Sequence, residues 1–370
     1  MNSLSALLKE SWTLVEEQQD KLASYFYARM FLSNPQLRDL FPIQMDVQRA
    51  RLLGAIVTAI QSVEDPERFD AHLRALGRDH RKFHVTPAHY DTVGHALLEA
   101  LRTFAGPDWT YEYDQAWRDA YTSIANTMIN GAAEDATNPP YWHAEVLYHE
   151  RRGNDIAVIT VKPLQPLPYR AGQYLSVECK YQPRLWRTYS IANAPRKDNS
   201  LDLHVRALGA GWVSSALVRR LKPGDMIRLG APMGTMTLDR TSTRDIVCIA
   251  GGTGLAPIKA ILEELTTTNR TRWVHTFFGA RTREDLYDLD CLHRLANRYP
   301  WLQITTATSH DPTDPGETGT IADTVTRYGP WNNHDFYISG SPPMIRHTLR
   351  TLAELHIPPN RIKYDTLGDG

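Results

Sequence analysis

The sequence has 370 residues, which predicts two or three domains, and its 42% hydrophobic and 22% charged residues are ordinary for a globular protein. A formal net charge of -1 provides no global field that would attract nucleic acid or an anionic membrane. The three cysteines, Cys179, Cys248 and Cys291, are odd in number, far apart and without C-x-x-C spacing, so we expect no disulfide framework or structural zinc site, and a reducing compartment fits.

The N-terminal segment lacks the basic start and apolar run of a signal peptide, and no stretch is apolar for long enough to span a bilayer. We therefore expect a cytoplasmic protein with small-molecule substrates, without a nucleic-acid partner and without stable membrane insertion. We also expect a monomer or a weak dimer.

The first part of the chain, residues 1–136, has a helical pattern with few strand signals. Apolar residues recur at helical spacing over residues 5–29 and 47–63, and Pro35 and Pro42 bracket an irregular corner between them. The pattern predicts an all-α domain.

Two dipeptides, Asp65-Pro66 and Thr86-Pro87, combine a capping side chain with a proline for the first turn, so each predicts a helix start. A last helix is predicted from Tyr113 to a stop at Asn130-Gly131.

After a Thr-Asn-Pro-Pro linker at 137–140, short alternating apolar runs predict a small antiparallel barrel over residues 141–239, with strands at 155–161, 174–178, 188–191 and 201–206. Residues 244–370 alternate buried-type strands with helical stretches, which predicts a parallel α/β sheet. The strands are predicted at 246–250, 273–279, 302–307 and 336–339, and the helices at 258–265 and 290–298.

One histidine of the helical part, His80, lies on the apolar stripe of its predicted helix, seven residues after Leu73 and three before Phe83. A histidine that faces a pocket from a rigid helix can be an axial ligand of haem iron. A lone histidine on an apolar face is more often a core residue, and His72 and His84 are nearby competitors for the ligand role.

The surroundings of His80 resemble the globin half of the flavohaemoglobin family. The resemblance rests on Tyr-Phe-Tyr-Ala-Arg-Met-Phe at 25–31, Leu-Phe-Pro at 40–42, Gln48-Arg49, and the positions of Phe83 and Tyr90 after the histidine. It implies haem b with His80 as the ligand of the iron and Tyr90 beside that histidine. It also implies that Phe41 wedges against the haem and that Tyr27, Gln48 and Leu52 form the distal pocket.

The distal assignment is physically consistent. Gln48 and Leu52 are four residues apart, so both can face one pocket from the same helix. The hydroxyl of Tyr27 and the amide of Gln48 can donate hydrogen bonds to a partly anionic ligand of the iron.

The proximal side departs from the family pattern. The family's glutamate, which with a tyrosine supports the histidine, aligns with Gly131, and Asp79 replaces the usual lysine before His80. A carboxylate that binds the histidine strengthens its donation to the iron, so the departure leaves open whether Glu134 or Asp79 takes over this role. The motif Gly-Arg-Asp-His-Arg-Lys at 77–82 is similar to a divergent subgroup that lacks this network.

Two segments of the barrel resemble ferredoxin-reductase-like flavoproteins: Arg-Thr-Tyr-Ser at 187–190 and Gly-Trp-Val-Ser-Ser at 211–215. An arginine suits the FAD pyrophosphate, a tyrosine ring suits the flavin face, and a backbone that opens a helix suits phosphate. The alternative is a barrel strand with an incidental arginine. The implied FAD residues are Tyr174, Arg187, Thr188, Tyr189, Ser190, Gly211, Val213, Ser214 and Ser215.

A glycine-rich loop at 251–257 follows a predicted strand and opens a helix, where backbone amides can bind phosphate. This loop and Ser-Gly-Ser-Pro-Pro-Met at 339–344 resemble the nicotinamide-binding loops of the same reductases. The family often has cysteine at the position of Ser339, and an aromatic residue near the chain end, where Tyr364 is the candidate. The implied coenzyme residues are Gly251, Gly252, Thr253, Gly254, Pro257, Gly340 and Met344.

The bound coenzyme is NADH or NADPH, and Arg281 and Arg283 do not decide between them from the sequence. The resemblance implies a nitric oxide dioxygenase, in which electrons pass from NAD(P)H through FAD to haem and nitric oxide and dioxygen become nitrate.

Three alternatives stay open at this point. The first is a flavohaem oxidoreductase that takes electrons from an organic donor such as a hydroxy acid or a quinol, with haem as the relay. The missing glutamate favours it, whereas Tyr27 and Gln48 disfavour it. The second is a gas-sensing globin, and the third is a plain reductase whose helical domain is structural and binds no haem.

Overall fold

The chain folds into two units, Met1–Tyr141 and Trp142–Gly370. The structure is a computed structural model and describes residues 3–42, 45–62, 66–209 and 211–365. Among these residues, no helix has both the length and the apolar character that a membrane crossing requires.

The first unit is helical, as predicted. Its helices are α1 (Leu4–Thr13), α2 (Gln19–Ser33), α3 (Asp46–Ser62), α4 (Pro66–His80), α5 (Pro87–Ala105) and α6 (Tyr111–Glu134). Their apolar faces share one core, in which Leu22, Phe26 and Leu101 are fully buried. The indole nitrogen of Trp117 donates to the Ser11 hydroxyl at 2.8 Å and thereby joins α6 to α1.

The predicted helix boundaries have mixed outcomes. The start at Thr86-Pro87 is confirmed, because Thr86 caps α5 and Pro87 occupies its first turn. Asp65 lies outside the described residues, and α4 begins at Pro66. The periodic stretch at 5–29 is interrupted by a 3₁₀ turn at Glu16–Gln18.

The predicted stop at Asn130-Gly131 is wrong, because α6 continues to Glu134. Gly131 serves helix packing instead of chain reversal: a β-carbon there would lie 2.5 Å from the Arg74 α-carbon of α4. A β-carbon at Gly77 of α4 would likewise overlap the Met128 carbonyl oxygen of α6. The two helices therefore touch backbone to backbone, at a separation that a larger residue at either position would prevent.

The second unit begins with an antiparallel barrel, as predicted. Its elements are β1 (Trp142–Arg152), β2 (Ile156–Pro163), β3 (Tyr174–Cys179), β4 (Arg187–Ser190), β5 (Leu201–Arg206), α7 (Trp212–Arg219) and β6 (Met226–Leu229). The strand order is β4-β3-β6-β1-β2-β5, and a bridge between Ile191 and Leu203 brings the two edge strands together. The predicted strand at 201–206 matches β5, whereas β1 and β6 were not predicted.

The rest of this unit is the predicted parallel α/β sheet. Its elements are β7 (Asp245–Gly251), α8 (Leu255–Thr268), β8 (Val274–Ala280), α9 (Leu289–Arg298), β9 (Leu302–Thr308), β10 (Glu317–Thr318), α10 (Ile321–Tyr328), β11 (His334–Ser339), α11 (Pro342–Glu354) and β12 (Ile362–Tyr364). The order β10-β9-β8-β7-β11-β12 reverses direction between β7 and β11. In such sheets the crevice beyond the carboxyl ends of the strands at this point binds the ligand.

The glycine contact between α4 and α6 yields a stability prediction. Gly131→Ala should lower the free energy of unfolding of the globin unit by about 1–3 kcal/mol, because its methyl group must displace the Arg74 backbone. Thermal unfolding of the full chain, followed by helical circular dichroism, measures the change. Gly54→Ala is the control: no atom lies within 4 Å of its added β-carbon, so it should leave stability unchanged or raise it. Equal effects of the two substitutions would contradict the packing role of Gly131.

Candidate functional site

The predicted distal residues come together in the first unit. The ring of Phe41, which follows the 3₁₀ turn at Pro35–Leu40, meets the Tyr27 ring edge-on with 5.6 Å between centroids. Phe31 packs edge-on against the same Phe41 ring at 5.4 Å, and Leu52 of α3 packs against this core. The structure thus places Tyr27, Phe41 and Leu52 in one apolar cluster.

Tyr27 is the polar group of that cluster. Its hydroxyl donates to the Gln48 carbonyl oxygen at 3.1 Å, so α2 and α3 are linked at this point. Burial raises the pKa of Tyr27, which keeps the hydroxyl protonated and able to donate. The hydroxyl therefore contacts the main chain of Gln48, and the predicted donation to a bound ligand requires it to rotate away from this carbonyl.

His80 is the last residue of α4 and is half-buried. Its Nδ1 lies 2.8 Å from the Leu76 carbonyl oxygen one turn earlier, which leaves Nε2 for a metal. Burial lowers the pKa of His80, so the imidazole is neutral at pH 7, as an iron ligand must be. The competitors His72 and His84 are both exposed.

A cavity of about 260 Å³ borders His80. Its lining is mainly apolar, and it includes the predicted residue Tyr90 and three residues of α6, namely Ile129, Ala132 and Ala133. A neutral, half-buried imidazole beside an apolar cavity fits the edge of a haem. Tyr27, Phe41, Gln48 and Leu52 do not line this cavity, so they form a separate group in the structure.

The structure answers the question about the missing glutamate. Glu134 forms an ion pair with Arg74 and has an exposed side chain, so it does not support His80. Asp79 pairs with Lys82 at 2.6 Å. Among the described residues that line the cavity, none is acidic. Glu134 is therefore engaged elsewhere, and the Leu76 carbonyl is the observed hydrogen-bond partner of the ring. Burial lowers the pKa of His80, and the nearby charge of Asp79 partly offsets this effect.

The predicted FAD strand is β4. Arg187 and Tyr189 of this strand are half-buried, and the Arg187 guanidinium donates to the Trp186 carbonyl oxygen at 3.0 Å. Burial raises the pKa of Tyr189 and lowers that of Arg187. A partly buried cation and a neutral phenol ring on one strand suit a flavin dinucleotide.

The two predicted coenzyme loops meet where the sheet reverses. Gly252 has a positive φ of 54°, and a β-carbon at Gly254 would overlap the Ser339 carbonyl oxygen. The Met344 sulfur lies 3.2 Å from the position that a β-carbon of Gly251 would occupy. The glycines therefore allow the loop after β7 to lie directly against the loop after β11.

One groove of about 920 Å³ in the second unit joins these parts. Most predicted residues line it: Arg187, Thr188, Tyr189, Ser190, Gly211, Val213, Ser214, Gly251, Gly252, Thr253, Gly254, Gly340 and Met344. A continuous groove that holds both the flavin strand and the glycine loop fits FAD beside a nicotinamide nucleotide.

Three predicted residues lie outside that lining. Tyr174 packs its ring against Gly234, which has a positive φ, and Ser215 is a half-buried residue of α7. Pro257 is buried in the first turn of α8 and serves the helix start. Their spacing fits the family motifs, but they are not among the residues that line the groove.

Two groove residues on β5 were not predicted. His204 is buried and its Nδ1 lies 2.7 Å from the Tyr287 hydroxyl, whereas Arg206 pairs with Asp285 at 2.6 Å. Both contacts join the barrel to the α/β sheet. The signal was present in the sequence, because His204 and Arg206 alternate along a strand and share one of its faces.

The structure also shows the contacts of residues whose roles the sequence left open. Arg283 pairs with the buried Asp314 at 2.7 Å, whereas Arg281 lines the groove. Ser339 lines the groove at the position where the family often has cysteine. Tyr364 pairs with Ile338 in the sheet and packs on its core, so it does not line the groove.

Comparison with known proteins follows the same division of the chain. Residues 24–128 match the globin family model, residues 145–238 match the oxidoreductase FAD-binding domain, and residues 248–350 match the oxidoreductase NAD-binding domain. A reductase component of naphthalene 1,2-dioxygenase/salicylate 5-hydroxylase systems from Ralstonia sp is 33% identical over 217 residues, which are 57% of this chain. The match covers 64% of that relative, less than two thirds of its length.

Other relatives match over nearly the whole chain. A flavohemoprotein of Bacillus subtilis is 26% identical over 393 residues, with 99% of this chain and 97% of the relative covered. A flavohemoglobin of Malassezia yamatoensis, solved with bound FAD and haem, shares the fold with a TM-score of 0.84 at 20% identity, covering 99% of this chain and 98% of that one. The chain therefore combines a globin domain with FAD-binding and NAD-binding oxidoreductase domains, and it is similar to flavohemoproteins over nearly its whole length.

Proposed function

We propose that the protein is a nitric oxide dioxygenase that oxidises nitric oxide with dioxygen to nitrate at the expense of NADH or NADPH. The observation that carries this proposal is the distal cluster, in which Tyr27 brings a protonated hydroxyl into an apolar environment beside Gln48. A relay that only passes electrons has no need of such a donor. The flavohemoprotein relatives over the full chain support the same reading.

In the proposed reaction, haem belongs to the globin unit, and FAD and the nicotinamide coenzyme belong to the second unit. When bound, these cofactors supply hydride transfer from the nicotinamide, single-electron transfer from FAD, and an iron centre at which nitric oxide and dioxygen combine. One coenzyme provides two electrons and each nitrate needs one, so two nitric oxide molecules are consumed for each coenzyme oxidised.

The chain's own residues bind and orient these groups. In the globin unit, His80 presents a neutral nitrogen, and Phe41 and Leu52 provide an apolar surface that excludes water. Tyr27 holds a proton at its hydroxyl oxygen, where it can stabilise negative charge that develops on the substrate.

In the second unit, Arg187 offers a cation to a pyrophosphate, and the main chain at Gly252–Gly254 offers amides at the start of α8. The Ser339–Gly340 backbone confines the nicotinamide end of the groove, because it packs directly on that loop.

One observation favours a second candidate, the flavohaem oxidoreductase that uses an organic electron donor. Because Glu134 is bound to Arg74 and the described cavity lining is not acidic, the observed hydrogen-bond partner of His80 is the Leu76 carbonyl oxygen, which supports a ligand less than a hydrogen-bonded carboxylate does. A weaker donor suits an electron relay better than it suits oxygen chemistry. The two candidates make opposite predictions about nitric oxide.

The deciding experiment measures nitric oxide consumption in air by the haem- and FAD-loaded protein, first with NADH and then with NADPH. We expect rapid loss of nitric oxide, stoichiometric nitrate, and one coenzyme oxidised for every two nitric oxide molecules. The faster coenzyme identifies the physiological donor. Negligible loss by protein whose haem is fully reducible would reject the dioxygenase and leave the second candidate.

Tyr27→Phe tests the distal donor. The substitution removes the hydroxyl and keeps the ring that packs on Phe41, so nitric oxide consumption should fall at least about tenfold. Reduction of FAD by the coenzyme, followed by stopped-flow absorbance, should not change. Tyr111→Phe is the control, since this tyrosine is 77% exposed. Wild-type turnover in Tyr27→Phe would exclude the assigned role.

His80→Ala tests the iron ligand. The protein should retain FAD and lose most of its haem, which the ratio of haem to flavin absorbance measures. His72→Ala removes an exposed histidine from the same helix and should retain both cofactors. Full haem content with an unchanged spectrum in His80→Ala would assign the iron to another residue.

A further inference from the structure

The motif Gly-Arg-Asp-His-Arg-Lys at 77–82 surrounds His80, and the proposed function uses only the histidine. We propose that the imidazole of His80 is held in position by a support that consists of Gly77, Asp79, Arg81 and Lys82. Arg81 is the positioning residue of this support. Arg81 fixes the end of α4 to the terminal segment of the globin unit, residues 135–141. This proposal rests on the proposed function, because it takes His80 as the haem ligand.

The imidazole requires this support because His80 is the last residue of its helix. The final turn of a helix has carbonyl groups without helical partners and tends to fray. The observed hydrogen bond of the ring goes to Leu76 within the same helix, so it orients the ring only relative to α4. The position of the ring in the unit then depends on how this helix end is held.

The guanidinium of Arg81 holds that end through contacts with two residues. It pairs with the Asp135 carboxylate at 2.6 Å and donates to the Asn138 carbonyl oxygen at 2.7 Å. The amide of Asn138 donates in turn to the other Asp135 carboxylate oxygen at 2.7 Å. The Arg81 and Asp135 side chains are 16% and 14% exposed, so solvent screens this pair little.

Two further contacts surround the histidine. Asp79 and Lys82 form an ion pair that bridges across it, with side chains 14% and 4% exposed. The Phe83 ring meets the His80 ring edge-on at 5.9 Å, and the Lys82 ammonium lies 5.0 Å from the centre of the Phe83 ring. On the side of α6, Gly77 brings the helix backbone against Met128. Each charged residue of the support therefore has a structural partner.

The terminal segment of the globin unit, residues 135–141, contacts the residues that directly follow α4. His84 follows Phe83 and meets the Tyr141 ring edge-on at 6.0 Å, and Arg81 holds Asp135 and Asn138. Asp135 is also the residue that ends α6. A change at Arg81 should therefore reach His80, its immediate neighbour, through the end of α4. Arg81 itself also lines the cavity beside His80.

The test compares full-length holoprotein variants by a signal that reports the iron–histidine bond. In Arg81→Met, the iron–histidine stretching band of the ferrous protein in resonance Raman spectra should shift and broaden. Haem loss to excess apomyoglobin should be about tenfold faster, which is the lower end of the effects seen when a metal ligand loses its support. Arg81→Lys keeps the charge but cannot reach both partners, so its values should lie between.

Arg78→Met is the matched control. It removes the same charge two residues before His80, and among the described residues Arg78 forms no ion pair or hydrogen bond. It should keep the wild-type band and rate of haem loss, and FAD reduction should be unchanged in all variants. If Arg81→Met does not fold, Asp135→Asn replaces it, since it removes the same ion pair and keeps the Asp135 carbonyl group.

The outcomes separate the two proposals. A wild-type band and wild-type haem loss in Arg81→Met, or in Asp135→Asn where that is used, would overturn the positioning role and leave the proposed function intact. Equal changes in Arg78→Met would also overturn it, because charge and not the contact would be the cause. A wild-type holoprotein without an iron–histidine band would overturn both, and the loss of nitric oxide activity alone would leave the positioning role standing.

Discussion

The direct backbone contact between α4 and α6 is the constraint on which the globin unit's candidate site depends. Gly77 meets Met128 and Gly131 meets Arg74 without any side chain between the two helices. This contact sets the position of the last turn of α4 relative to α6, and that turn includes His80. It also fixes which α6 residues face the cavity, namely Ile129, Ala132 and Ala133. A bulky polar side chain at position 131 has no room in this packing.

In the second unit, the fold brings two candidate nucleotide sites together. The antiparallel barrel contributes β4 and β5, and the parallel sheet contributes the loops after β7 and β11. Side chains that alternate on β5 join the two parts, through His204 to Tyr287 and Arg206 to Asp285. Burial lowers the pKa of His204 well below its ordinary value, so this junction carries a neutral histidine and one compensated cation.

Much of the fold was predictable because it follows from short-range signals. Thr86-Pro87 specified a helix start, the alternation at 201–206 specified a strand, and the glycine loop after 246–250 specified the start of the next helix. The end of α6 was not predictable in this way. Gly131 has the local signature of a helix stop, and only the tertiary contact with Arg74 makes it an interior residue.

The site was predictable to a similar extent. Motif residues such as Arg187 and Gly252 reached the groove, whereas Tyr174, Ser215 and Pro257 did not, since a motif fixes spacing and not the direction of each side chain. Glu134 shows the limit most clearly: its place near the end of α6 suggested a partner for His80, but the nearby guanidinium of Arg74 binds it instead. The glycine contact thus excludes a side chain at 131 and brings Arg74 close to Glu134. Burial lowers the pKa of His80 and keeps its ring neutral, so in the proposed dioxygenase the stabilisation of negative charge would depend on the distal hydroxyl of Tyr27.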